Sequence, residues 1–144
     1  MPRIKLQPLS EYEFATEITV RTTDLNYRGH LGNDRLIALI HEARAAFLAA
    51  HGFTEMDCGG VSLIIADAVV NYQGEAFAGD VLRFEAAAGD PTESGFRLFY
   101  RVTRLNDGAD IALVENGMVC FDYEKRKRRP LPDAVRKFCL EHTE

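Results

Sequence analysis

Between residues 33 and 50 the apolar positions recur at helical spacing. Wound at about 100° per residue, Leu36, Leu39, Ile40, Ala43 and Phe47 form one stripe. The opposite face carries Ala38, Ala45 and Ala49, small enough for a close neighbour to cover. A helix apolar or small nearly all round is a central helix. Asn33 or Asp34 offers a short polar oxygen to cap its start, and Gly52 stands just past its last periodic position.

Elsewhere the period is two. Phe14, Thr16, Ile18 and Val20 fall on one face at alternate positions, as do Leu82, Phe84, Ala86 and Ala88, and both stretches predict strands with one face inward. Residues 61–72 are apolar on both faces, with Leu63, Ile65 and Val69 on one and Ile64, Ala66, Ala68 and Val70 on the other. That pattern predicts a central strand. Further strands are expected over 96–105 and 111–123, and a short helix after Leu131-Pro132 to about Glu141. Gly79-Asp80, Gly89-Asp90-Pro91 and Asn106-Asp107-Gly108 are turns too short for anything but antiparallel neighbours. The order predicts an α+β domain over residues 1–144: an antiparallel sheet of about five strands wrapped around one long central helix, with a short C-terminal helix. The apolar stripe on the second sheet face calls for cover, and a homodimer supplies it.

Composition narrows the function classes. At 144 residues, 47% hydrophobic and 27% charged, the chain is an ordinary globular domain. No apolar run approaches the ~20 residues of a membrane span, and the first residues lack the apolar core of a secretion signal. Cys58, Cys120 and Cys139 fit neither a disulfide framework nor a metal knuckle, so idle thiols in a reducing cytoplasm are expected. Net charge is −5, yet Lys125-Arg126-Lys127-Arg128-Arg129 is strongly basic, and setting those five aside leaves 12 basic against 22 acidic residues. A local basic run in an acidic chain argues against nucleic acid. It is either a solvated turn or a seat for an anionic ligand such as a nucleotide phosphate.

The chemistry concentrates just before the helix. Asp24-x-Asn26-x-x-Gly29-His30-x-x-Asn33, followed by Glu42-Ala43-Arg44 and later by Tyr72 and Gly79-Asp80-Val81-Leu82, resembles the 4-hydroxybenzoyl-CoA thioesterase type of the hotdog-fold superfamily over residues 13 to 124. The resemblance implies hydrolysis of acyl-CoA or acyl-carrier thioesters without metal or cofactor. It also implies a homodimer or a tetramer of dimers with sites at the dimer interface. Independently, a thioester carbonyl needs a donor where its oxygen becomes negative, and a helix start supplies free amides, here around Gly32 and Asn33. A carboxylate must attack the carbonyl or activate water.

In the resembling class that carboxylate sits two residues after the first loop Asp, where this chain has Asn26. An amide is no base, though it can hold water or the carbonyl. Three carboxylates are candidates in its place. Asp24 shares the loop, with loop ordering as its alternative use. Glu42 lies on the helix, where a second hotdog class carries its carboxylate, and its alternative is an ion pair with Arg35 or Arg44. Asp67 shares a strand face with Leu63, Ile65 and Val69, where burial would raise its pKa and suit it to base work, and its alternative is a pair with an Arg or with His30 across the dimer. His30 either positions substrate or pairs with Asp24 or Asp67, and Tyr27 and Arg28 are candidates to line the acyl pocket or pantetheine channel. Lys125, Arg126, Lys127 and Arg128 are candidates for the CoA phosphates. Two rival readings stay open. One is a non-catalytic acyl-CoA binder. The other is a hotdog hydratase or dehydratase, against which the five residues between Asp24 and His30 stand, since that class resembles Asp-x4-His.

Overall fold

A computed structural model describes residues 3–140, so Glu141, the expected end of the last helix, lies outside the described residues. The chain runs β1 (Phe14–Thr19), α1 (Asn33–Ala50), β2 (Ser62–Tyr72), β3 (Val81–Gly89), β4 (Gly95–Arg104), β5 (Asp110–Asp122), β6 (Lys127–Arg128) and α2 (Asp133–Leu140). The six strands form one antiparallel sheet in the order β1-β3-β4-β5-β2, and the short β6 pairs with the far end of β5. α1 packs in the concave face of this sheet, the arrangement the hotdog resemblance implies.

The helical stripe drives that packing. Leu36, Leu39, Ile40, Ala43 and Phe47 are all buried, against Leu82, Phe84, Ala86 and Ala88 of β3 and Phe96, Leu98 and Val102 of β4. Burying a Leu, Ile or Phe side chain contributes about 1.5–3 kcal/mol, so the stripe alone is worth on the order of 10 kcal/mol. α1 is open on its other side, however. Ala45 and Ala49 are exposed, and Ile37 is half exposed.

β2 is not central. It lies at the sheet edge and pairs only with β5. Apolar residues on both faces therefore do not mean a strand on both sides. The Leu63 amide donates to the Glu55 carbonyl (2.7 Å), but from Ile64 to Tyr72 the outer edge has no backbone partner among the described residues. Ile65, Ala66 and Ala68 are exposed there. The register also slips between Ile65 and Asp67, a bulge that reverses which residues face the helix.

The convex face is charged. Arg97 pairs with Glu115 and Asp67, and Arg101 pairs with Glu85. The N-terminal segment crosses this face. The Leu6 amide donates to Asn71 Oδ1 (2.7 Å), and the Arg101 guanidinium stands 4.9 Å from the centre of the Tyr12 ring. No helix among the described residues is long and apolar enough to cross a membrane.

Candidate active site

The loop before α1 is built on Asp24. Its carboxylate is fully buried and accepts hydrogen bonds from the Arg21 amide (2.9 Å), the Arg21 guanidinium (3.3 Å) and the Arg35 guanidinium (3.2 Å). Burial pushes this carboxyl up, but the Arg21 amide and the two guanidiniums outweigh it and hold the group below its ordinary value. The Asp24 carbonyl in turn accepts the Gly32 amide (3.1 Å). Asp24 thus orders the loop, the alternative use its position allowed.

Asn26 closes the loop from inside. Its side-chain oxygen accepts the amides of Arg28 (2.9 Å) and His30 (3.4 Å), and its own amide donates to the His30 carbonyl (2.9 Å). Gly29 turns the chain at φ +82°, a conformation side-chain-bearing residues rarely adopt. Tyr27 and Arg28 form the tip. Tyr27 is 92% exposed and touches the Arg28 guanidinium, so within one protomer neither lines a pocket.

The loop ends in an uncapped helix. Gly32, not Asn33 or Asp34, is the N-cap residue, and no side chain caps the first turn. Asn33 Oδ1 instead accepts the next amide, that of Asp34 (2.9 Å). The Gly32 amide is committed to Asp24, which leaves the Asn33 amide without an acceptor among the described residues. Asn33 lines a cavity of about 330 Å³ together with Asn26, His30, Gly32, Tyr72 and Glu75. Tyr72 comes from the end of β2, and its hydroxyl donates to the Asn33 carbonyl (3.0 Å). Glu75 comes from the segment after β2, which is tied to the loop by the Leu31 amide donating to the Ala76 carbonyl (2.7 Å). His30 Nε2 lies 2.9 Å from the Glu75 carboxylate. Its partner is therefore neither Asp24 nor Asp67.

Two candidate carboxylates stay away from this cavity. The bulge in β2 carries Asp67 to the convex face, while Ile65, Ala68 and Val70 face the helix. Asp67 is half exposed and held by the two terminal guanidinium nitrogens of Arg97 (2.6 and 3.0 Å). Those hydrogen bonds, against a smaller opposing effect of burial, lower its pKa rather than raise it. Glu42 is exposed on α1. Its expected arginine partners are taken, Arg35 by Asp24 and Arg44 by Glu55.

The basic run is exposed in and after the β5–β6 turn. β5 begins beside the cavity at Ile111 and ends at that turn, roughly 36 Å away at about 3.3 Å per residue. One protomer does not bring Lys125, Arg126, Lys127 and Arg128 to its own cavity. A second groove of about 390 Å³ runs between α1 and β2. Its walls are Ile37, Ile40, Ile65 and Val70, and its floor is the buried pair Arg44 and Asn116 (3.3 Å). Sequence reasoning missed Glu75 and Asn116. Glu75 sits in a Gly-Glu-Ala stretch with no periodicity, and only its pairing with His30 reveals it.

The comparisons agree with this fold. A 1,4-dihydroxy-2-naphthoyl-CoA hydrolase from Synechococcus elongatus is 28% identical over 131 residues, which is 88% of this chain and 93% of the relative. Among solved structures, a 1,4-dihydroxy-2-naphthoyl-CoA thioesterase from Synechocystis aligns with a TM-score of 0.78 at 20% identity, covering 86% of this chain and 93% of that one. A gentisyl-coenzyme A thioesterase aligns at 0.75 and 18% identity, covering 86% and 98%. Both share the hotdog fold. The sequence profile described as Thioesterase-like superfamily matches residues 20–139, from just after β1 into α2, and the chain belongs to that superfamily.

Proposed function

We propose that this protein hydrolyses acyl-CoA thioesters in the cavity at the start of α1. The observation that carries the reading is an Asn33 amide without an acceptor among the described residues, at an uncapped helix start whose first residue lines a polar cavity. As water attacks, the carbonyl oxygen becomes negative. An amide already aimed there, backed by the helix dipole, stabilises it without reorganisation. Asn26 spends its side-chain oxygen on the loop and keeps its Nδ2 to orient water or substrate.

The working unit in this reading is a homodimer in the cytoplasm. The open edge and exposed apolar residues of β2 suit antiparallel pairing with the same strand of a second copy. Such pairing sets the Ser62 end of one β2 beside the Tyr72 end of the other. Ser62 pairs with Phe121 next to the β5–β6 turn, so the second copy's basic turn comes to the mouth of this cavity. Lys125, Arg126, Lys127 and Arg128 then meet the CoA phosphates across the dimer. Three free, buried cysteines suit a reducing compartment.

The test is thiol release from a panel of acyl-CoAs, including the naphthoyl- and gentisyl-CoA named for the relatives. Turnover of at least one is expected. Binding without turnover overturns hydrolysis in favour of an acyl-CoA binder, the reading that Asn26 in place of a carboxylate favours.

A further inference from the structure

The geometry points to His30 as the general base, held and charge-balanced by Glu75, an assignment that rests on the hydrolysis reading above. No loop carboxylate is available for the task. Asp24 is consumed by Arg21 and Arg35, Asp67 is on the convex face with Arg97, and position 26 is an amide. The cavity's own titratable residues are His30, Glu75 and Tyr72, and the first two already form a pair at 2.9 Å.

The pair is built rather than accidental. His30 is fixed at both ends of its peptide by Asn26, and its ring lies edge-on to Phe77 with centroids 6.1 Å apart. Glu75 is fixed by its carbonyl, which accepts from Arg104 (2.9 Å), a residue also paired with Asp80 and Asp107. The other charged groups around the site are Asp34 and Arg35 of α1 and Arg21 of the loop. The two arginines are committed to Asp24, so among the described residues the Glu75 carboxylate has His30 as its side-chain partner. With Nε2–H donating to Glu75, the lone pair of the neutral ring lies on Nδ1, which has no partner among the described residues. A base oriented by a carboxylate is a recurring catalytic arrangement.

The step balances. A water oxygen bonds to the thioester carbon, its proton passes to His30 Nδ1, and the carbonyl electron pair moves to the oxygen facing the Asn33 amide. Collapse breaks the carbon–sulfur bond, and the CoA thiolate takes the proton back from the imidazolium. Glu75 touches neither water nor substrate and is a positioning residue. It fixes the tautomer and stabilises the transient cation.

The experiment measures kcat and KM on the best acyl-CoA for wild type, His30→Ala, Glu75→Gln and Asp34→Asn, with folding checked by thermal melts. Because among the described residues the His30 side chain makes its polar contact with exposed Glu75 alone, His30→Ala and Glu75→Gln are expected to fold. His30→Ala should lose about 10²–10⁴-fold in kcat with KM within about threefold, and added imidazole should restore part of the rate. Glu75→Gln should lower kcat at least tenfold with KM held, a split that mere loosening of the loop would not give. An active wild type whose His30→Ala variant keeps more than a third of kcat overturns the base assignment alone. So does loss confined to Asp34→Asn. A wild type inert on every thioester overturns the hydrolysis reading, and the base with it.

Discussion

Replacing Asp24 separates a structural carboxylate from a chemical one. The charge-assisted hydrogen bond from the Arg21 amide is worth about 1.5–3 kcal/mol. The arginine side chains that flank it are 64% and 40% exposed, so each ion pair adds only ~0.2–1 kcal/mol. Asp24→Ala should therefore cost about 2–5 kcal/mol, and Asp24→Asn, which keeps an acceptor for the amide, about half as much. In a domain of this size a kcal/mol moves Tm by roughly 2–4 °C, so Asp24→Ala should melt roughly 5–15 °C below wild type at neutral pH. The folded carboxyl titrates below the ordinary value of 3.8, so its contribution is complete above that pH. It is lost as pH falls through the lower folded value. The melting gap between wild type and Asp24→Asn should accordingly be constant from pH 5 to 7 and close in stronger acid. Thioester turnover should fall no more than the loosened loop requires, about tenfold. An Asp24→Asn protein with wild-type Tm and a kcat reduced more than a hundredfold would refute this account and make Asp24 the catalytic group.

Three further outcomes follow from particular contacts. Asp67→Asn should leave kcat within about threefold of wild type and cost under ~1 kcal/mol, because its ion pair with Arg97 is half exposed on the convex face; urea titration and turnover check both. Gly95→Ala should destabilise by about 1–3 kcal/mol in thermal melts, because the added methyl collides with the Met118 carbonyl oxygen across the β4–β5 ladder. Charge reversal at Lys125 and Arg126 should raise KM for a CoA thioester severalfold at low salt. The same acyl group on a short uncharged thiol should show no change, as expected if the turn meets phosphates.

The sequence was most legible where one chain supplies both sides of a contact. The stripe Leu36 to Phe47 and the inward set Leu82 to Ala88 meet in a single core, and their periods of 3.6 and 2 foretold it. β2 was misplaced because periodicity records that side chains avoid water, not whose atoms cover them, so an exposed apolar edge reads like a central strand. Asp67 faces away from the side its parity implies because one bulge reverses the parity of every residue after it, and Ala66, between Ile65 and Asp67, does not announce a bulge. The helix-start loop was recognisable from its Asp, Gly, His and Asn spacing. The residues that complete the cavity come from β2 and the segment after it, Tyr72 and Glu75, whose approach to the loop depends on the whole sheet.

The central claim is that the free amide of Asn33 stabilises the negative oxygen of a thioester in its transition state. Proline removes that amide, together with the side-chain oxygen that accepts the Asp34 amide, a loss it shares with alanine. It is well tolerated at the first helical position, and the preceding Gly32, at φ −67° and ψ 146°, already has the extended conformation proline demands of its predecessor. The decisive measurement is kcat of Asn33→Pro beside Asn33→Ala, which loses the same side chain but keeps the amide. The account expects both to melt close to wild type, Asn33→Ala to stay active, and Asn33→Pro to lose about 10²–10³-fold in kcat. A folded Asn33→Pro protein with the turnover of Asn33→Ala would contradict it.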